Sequence, residues 1–179
     1  MDTKKLLRFA SFVPILALNL NITLADIQSQ VQTFSPNFVT EEDRAMTILK
    51  EKAEVIDRYF GDRNMPLEGY GMKMIEEAER HDLDWRLLPA IAVQESGGGK
   101  HAVLRCKNNP FGWGSCGVKF QSTEHAIEIV ALNLAGGNPK TEKYYKNKNN
   151  KEKLYYYNGT VVSKYPQVVL SIMEAIDKI

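Results

Sequence analysis

The 179-residue sequence predicts an all-α fold, and three observations carry the prediction. Apolar residues recur at three- and four-residue spacing in successive segments, the period of a helix with one buried face. Those segments open on Thr, Asp, Ser or Pro and close on glycines, the residues that start and stop helices. No stretch alternates like a long strand, and Val161-Val162 is too short to count as one. The most β structure the pattern allows is a minor hairpin near Gly112–Lys119.

The helices follow in order. Thr40-Glu41-Glu42-Asp43 reads as a helix start with acids at the positive end of the dipole. Ala45, Ile48, Leu49, Val55, Ile56 and Tyr59 then lie in register, as a core face or as a docking helix. Gly61–Met65 breaks the chain. Pro66 suits the first turn of a second helix reaching about His81, with Met74, Ile75 and Ala78 inside. Asp84 is the expected cap of a third helix carrying Leu87, Leu88, Ile91, Ala92 and Glu95, and Pro89 fits because it is near the first turn. Ser122 caps a fourth, with Ala126, Ile127, Val130, Ala131 and Leu134 buried and Gly136-Gly137 as its stop. Short helical pieces surround Tyr144 and Leu154. The last helix starts at Pro166 and runs to the end through Val169, Ile172, Met173, Ile176 and Ile179.

The composition is that of one globular domain, 44% hydrophobic and 25% charged with a formal net charge of +1. Nothing in that balance points to nucleic acid. Lys4, Lys5 and Arg8 precede the apolar run FASFVPILALNL, and Thr23 and Ala25 take small-residue positions before a cleavage site. Residues 1–25 therefore read as a signal peptide cut after Ala25, or as an uncleaved membrane anchor. Both place the rest of the chain outside the cytoplasm. Residues 26–39 read as a linker, 40–65 as a helix with its connection, and 66–179 as the main domain. Cys106 and Cys116, an even pair in an exported chain, pair as a disulfide or stay as two buried thiols. A bridge closing that short loop contributes about 3 kcal/mol.

One carboxylate is placed unlike the others. Glu95 ends the apolar run of the third helix, one turn after Ile91 and Ala92, just before Gly97-Gly98-Gly99. The negative end of the helix dipole disfavours a second negative charge there by about 0.3–1 kcal/mol, less than one pKa unit. Apolar burial acts in the same direction, so both hold a proton on Glu95. A protonated carboxyl is what a glycosidic oxygen needs in order to leave. Around it, Phe111 and Trp113 are flat faces for pyranose rings or core residues. Asn108 and Asn109 carry amides suited to hydroxyl and acetamido groups. Tyr155, Tyr156, Tyr157 and Asn158 are candidates for the opposite wall, although three successive tyrosines on a helix cannot all face one way. The lysine-rich run 140–153 is a solvated face or a contact for polymer carboxylates. His101, Cys106, Cys116 and His125 fit no compact zinc spacing, so neither metal nor cofactor is expected.

Four runs carry a resemblance in their order and spacing: LLPAIAVQESGGG, NNPFGWG, FQSTEHAIEIVALNL and YYNGTVVSKYPQVVLSIMEAI. Together, over Leu67–Ile179, they resemble the glucosaminidase family of the lysozyme-like superfamily. That family holds cell-wall hydrolases of the mannosyl-glycoprotein endo-β-N-acetylglucosaminidase-like kind. The resemblance implies a lysozyme-like fold, peptidoglycan or a related N-acetylglucosamine polymer as partner, and Glu95 as the catalytic acid. It also implies that Asn109, Phe111, Gly112 and Trp113 belong to the substrate loop, with Pro110 where the family usually has leucine. Tyr157-Asn158-Gly159 and Tyr165 are also similar to the ending of soluble lytic transglycosylases, where a tyrosine-asparagine pair helps close the cleft. Tyr156, Tyr157 and Asn158 are the expected contacts there.

One departure matters. The family often carries a second acid on a hairpin after the glycine loop, and Ser115–Phe120 contains no carboxylate. Glu124 is the nearest candidate, unless it is only a favourable charge in the first turn of a helix. Without a second acid, the sugar's own N-acetyl oxygen would attack the anomeric carbon. The expected activity is thus endo-β-N-acetylglucosaminidase-like hydrolysis. Transglycosylase or muramidase action on the same scaffold, and a wall-binding module without turnover, are the alternatives.

Overall fold

The computed structural model describes residues 39–102 and 106–179. The expected signal peptide or anchor, and all of the linker except Val39, lie outside them. Among the described residues there are helices and no strand. The hairpin allowed near Gly112–Lys119 is instead a tight 3₁₀ turn, Trp113–Cys116. No helix among the described residues is long and apolar enough to cross a membrane.

Helix α1, Glu41–Gly61, opens on a complete capping box between Thr40 and Asp43, worth about 1 kcal/mol. Its second half buries Ala53, Ile56, Tyr59 and Phe60, whereas Met46 and Ile48 in its first half are exposed. Helix α2, Gly71–Arg80, begins five residues later than Pro66 suggested. Residues Met65–Tyr70 turn instead, and the Asp57 carboxylate of α1 accepts from Gly69 N and Gly71 N, both at 2.8 Å. An anion from a neighbouring helix thus satisfies the free N–H groups at the new start.

Helix α3, Leu87–Ser96, buries Leu87, Leu88, Pro89, Ala90, Ile91 and Ala92, so it is enclosed on nearly every side. Asp84, the expected cap, stands two residues before Arg86, which takes the capping position. It accepts from Arg86 N at 3.0 Å and pairs with the Arg86 guanidinium at 2.8 Å, which in turn reaches Asp177 at 3.3 Å. That link ties the start of α3 to the end of the last helix.

Helix α4, Thr123–Leu134, is capped by Ser122 and buries the five apolar residues expected of it. Helices α5, Glu142–Tyr145, and α6, Asn150–Leu154, are short. A π turn, Tyr155–Gly159, follows α6, and α7 spans Tyr165–Ile176, leaving Ile179 exposed. Helices α1 and α2 pack together, α4 packs on α2, and α7 packs on both α3 and α6. Buried Glu77 on α2 is matched by Lys73 at 3.0 Å and Arg80 at 2.6 Å, and Lys73 continues to Glu128 on α4. A charge so deeply buried is tolerated only with such partners.

Candidate active site

An open cleft of about 1220 Å³ runs past the C-terminal end of α3. One wall comes from Ser96, His101, Ala102, Cys106 and Asn109 and from the turn Gly112–Cys116. The other comes from Thr141, Tyr144 and Tyr145 and from the π turn with Tyr156, Tyr157 and Asn158. Glu95 is its only lining carboxylate among the described residues.

Helix α3 stops one residue after Glu95. Gly97 takes a left-handed conformation at φ 62°, and Gly97 N and Gly98 N return to Val93 O and Ala92 O at 2.9 and 3.1 Å. The Ser96 hydroxyl donates to Ala92 O at 3.0 Å and accepts from Gly99 N at 2.9 Å. The helix end is therefore held firmly, and with it the Glu95 backbone. The Glu95 carboxyl is half-buried. Burial raises its pKa above the ordinary carboxylate value, and the neighbouring Tyr165 hydroxyl offsets part of the rise.

Gly112 presses against this carboxyl. Its φ is 62°, and a Cβ built there would stand 2.8 Å from Glu95 Oε2. Only glycine both adopts that conformation without strain and leaves the acid its room. The loop around it is closed by the Cys106–Cys116 pair, with Cα atoms 5.1 Å apart, within disulfide span.

One residue of this loop, Phe111, is absent from the cleft lining. Phe111 is wholly buried, and its carbonyl accepts the Tyr157 hydroxyl at 2.6 Å. Its ring is a pillar under the loop, because the loop has too few other apolar residues to sit on the core. Asn109 lines the cleft but is only 1% exposed, and its amide is engaged by the loop. Its Oδ1 accepts from Trp113 N at 3.0 Å, and its Nδ2 donates to Trp113 O at 3.0 Å and Val118 O at 3.4 Å. The amide satisfies turn backbone that no regular element could pair. Asn108 acts alike, donating to Phe120 O and Gln121 O at 3.2 and 2.8 Å.

Trp113, Tyr156, Tyr157 and Asn158 also line the cleft, with Gly112 and Asn109. The π turn is what brings two of three successive tyrosines, together with the asparagine, onto one wall, and such turns are frequent at functional sites. Tyr157 stacks on Tyr165, with centroids 5.9 Å apart and planes 6° off parallel, and meets Trp113 at 5.5 Å. Glu124 stays apart. It is exposed in the first turn of α4 and absent from the cleft lining. The Ser122 hydroxyl lowers its pKa, which suits a helix-end charge rather than a proton donor.

Sequence reasoning missed Tyr144, Tyr145 and Thr141 on the far wall and His101 on the near one. A tyrosine pair inside a lysine-rich run was the signal available for the first two. Trp113 and Tyr145 lie 6.1 Å apart and Tyr144 and Tyr156 5.5 Å, so the rings form a continuous aromatic lining. No protein-family model, curated protein or solved structure matches the chain.

Proposed function

We propose that the chain is an exported hydrolase of N-acetylglucosamine-containing glycan strands, peptidoglycan foremost, with Glu95 as general acid. The observation that carries the proposal is a half-buried carboxyl, biased by burial toward its protonated form, set in an open cleft lined with aromatic rings. The order of motifs shared with the glucosaminidase family supports the same reading. Glu95 donates its proton to the leaving glycosidic oxygen. The substrate's N-acetyl oxygen attacks the anomeric carbon, since Glu95 has no carboxylate partner among the described cleft-lining residues. That solitary acid also favours a second reading, lytic transglycosylase action, in which a sugar hydroxyl captures the intermediate and leaves an anhydro end.

The deciding experiment is release of soluble fragments from purified peptidoglycan. Glu95→Gln reduces release by roughly 10²–10⁴-fold while retaining binding. Wild-type protein that binds the polymer and releases nothing would instead be a wall-binding module. Mass spectrometry of the released ends separates glucosaminidase, muramidase and transglycosylase products.

A further inference from the structure

One buried side chain of the cleft ends in a proton that the described residues do not receive. Tyr145 closes α5, is 5% exposed and lines the far wall. Its ring is held between Trp113, with centroids 6.1 Å apart, and Tyr144, at 6.4 Å. Its hydroxyl makes no hydrogen bond to the described residues. Among those residues the Tyr165 hydroxyl is the side-chain polar atom sealed in the core without a partner. The Tyr145 oxygen is therefore not sealed in, and it opens into the cleft that its residue lines. Burial pushes the phenol up to about 12, so it keeps its proton near pH 7. A fixed ring thus presents a free donor to whatever occupies the cleft.

Thr141, one helical turn earlier on the same wall, has the opposite polarity. Asn133 on α4 is 2% exposed, and its Nδ2 donates to Ile129 O at 2.7 Å. That bond fixes which side of the amide carries the oxygen. Asn133 Oδ1 then accepts from Asn138 Nδ2 at 2.9 Å and from the Thr141 hydroxyl at 2.7 Å. The next acceptor in reach of that hydroxyl, Asn138 O at 3.4 Å, belongs to the same loop. A hydroxyl has one proton, and this one is committed inward. Thr141 is half-buried and lines the cleft, where its oxygen is left only to accept. Thr141 and Tyr145 are four residues apart, so the single turn of α5 sets a fixed acceptor and a free donor on one face.

We propose that Thr141 and Tyr145 form a subsite for a secondary amide, the acetamido group of an N-acetylated sugar. The proposal rests on the glycan reading above and deepens it. An amide of this kind carries one N–H donor and one C=O acceptor, the two functions that the wall lacks a partner for. Tyr145 donates to the carbonyl oxygen, and Thr141 accepts from the N–H. Trp113 and Tyr144, on either side of the Tyr145 ring, offer apolar faces to the acetyl methyl. A hydroxyl in place of the amide offers both functions from a single atom and must bring that atom within reach of both groups at once. Recognition therefore favours N-acetylated over plain hydroxylated sugars. Neither residue takes part in proton transfer to the glycosidic oxygen.

Calorimetric titration of the full chain with chitopentaose and cellopentaose tests this, because the two differ in carrying an acetamido group or a hydroxyl at the second carbon. Glu95→Gln is the parent, so that turnover does not blur binding. Tyr145→Phe and Thr141→Val, each added to that parent, weaken chitopentaose binding about three- to ten-fold and leave cellopentaose binding unchanged. Thr141→Ser keeps the hydroxyl and binds chitopentaose as the parent does. Tyr145→Phe also keeps the parent's melting temperature, since no bond within the described protein is lost. Thr141→Val melts lower, because Asn133 loses one of its donors, so Tyr145→Phe is the deciding variant. Equal weakening toward both sugars, or chitopentaose affinity unmoved by Tyr145→Phe, overturns the subsite. So does a parent protein that binds neither sugar. Fragment release from peptidoglycan by the wild type is scored separately. Release together with an unmoved Tyr145→Phe affinity overturns the subsite alone, whereas amide-selective binding without release upholds the subsite while the hydrolase reading falls.

Discussion

The two walls of the cleft are built on opposite plans. The wall carrying Gly112 turns its polar groups inward: Asn108 and Asn109 bind loop backbone, Phe111 is buried, and a cysteine pair closes the ends. The wall from Thr141 to Thr160 turns outward, with Tyr144, Tyr155 and Tyr156 each exposed by 39% or more. The first wall packs around the acid, and the second leaves its aromatic rings exposed. The difference teaches that the most motif-like segment of the chain is largely scaffold, and that the most exposed aromatic surface beside the cleft comes from a segment whose composition suggests solvent.

The comparison breaks most sharply at Gly112. Alanine there combines a left-handed φ of 62° with a Cβ 2.8 Å from Glu95 Oε2. The obstructing atom is the end of a side chain, so the carboxyl swings aside and the fold survives. Fragment release drops about 100-fold, the usual cost of misplacing a catalytic group by roughly 1 Å. Backbone strain costs about 1–3 kcal/mol, read as a fall of a few degrees in melting temperature. Near-normal release by Gly112→Ala would mean the loop does not hold the acid.

A paired measurement comes next, one residue from each wall. Asn109→Ala leaves Trp113 N–H and two carbonyls without their partner and costs roughly 2–3 kcal/mol of stability, measured by denaturant unfolding. Tyr156→Ala removes a 39% exposed ring, leaves stability within about 1 kcal/mol, and raises KM for peptidoglycan roughly ten-fold. If Asn109→Ala raised KM at full stability, or Tyr156→Ala unfolded the chain, the division of labour between the walls would be reversed.

What was legible in the sequence follows the same division. Glu95 and the helix stop after it are local features, an apolar run ended by glycines, and local patterns survive folding. The Ser122 cap and the α4 face were legible for the same reason. Residue types, however, do not state direction. Phe111 and Asn109 suit a sugar as well as a core, and only the depth of the loop on α3 and α7 decides between them. Tyr144 and Tyr145 were masked by the lysines around them, because a solvated helix face and a cleft rim share one composition. Tyr165 sits a single residue before the proline that marked the helix start, and its influence on the distant Glu95 carboxyl is something no periodicity reports. The π turn has no sequence period to reveal it, yet without it Tyr156, Tyr157 and Asn158 would diverge.

The smallest effect is the most direct reading of how the holding wall treats its acid. Burial raises the Glu95 pKa in the folded chain above its unfolded value. Between those two values the folded state binds more protons than the unfolded state, so stability declines as pH rises through that window. Below about pH 4 both states are protonated and the penalty vanishes. Glutamine is neutral throughout and isosteric. Glu95→Gln therefore melts higher than the wild type near pH 7 and at the same temperature near pH 3.5, with the difference opening between them. The gain is at most a few degrees, because the carboxyl is only half-buried and water screens part of the cost. An offset that persisted unchanged to pH 3.5 would point to altered packing, and a lower melting temperature near pH 7 would mean that the cleft stabilises the anion rather than the acid.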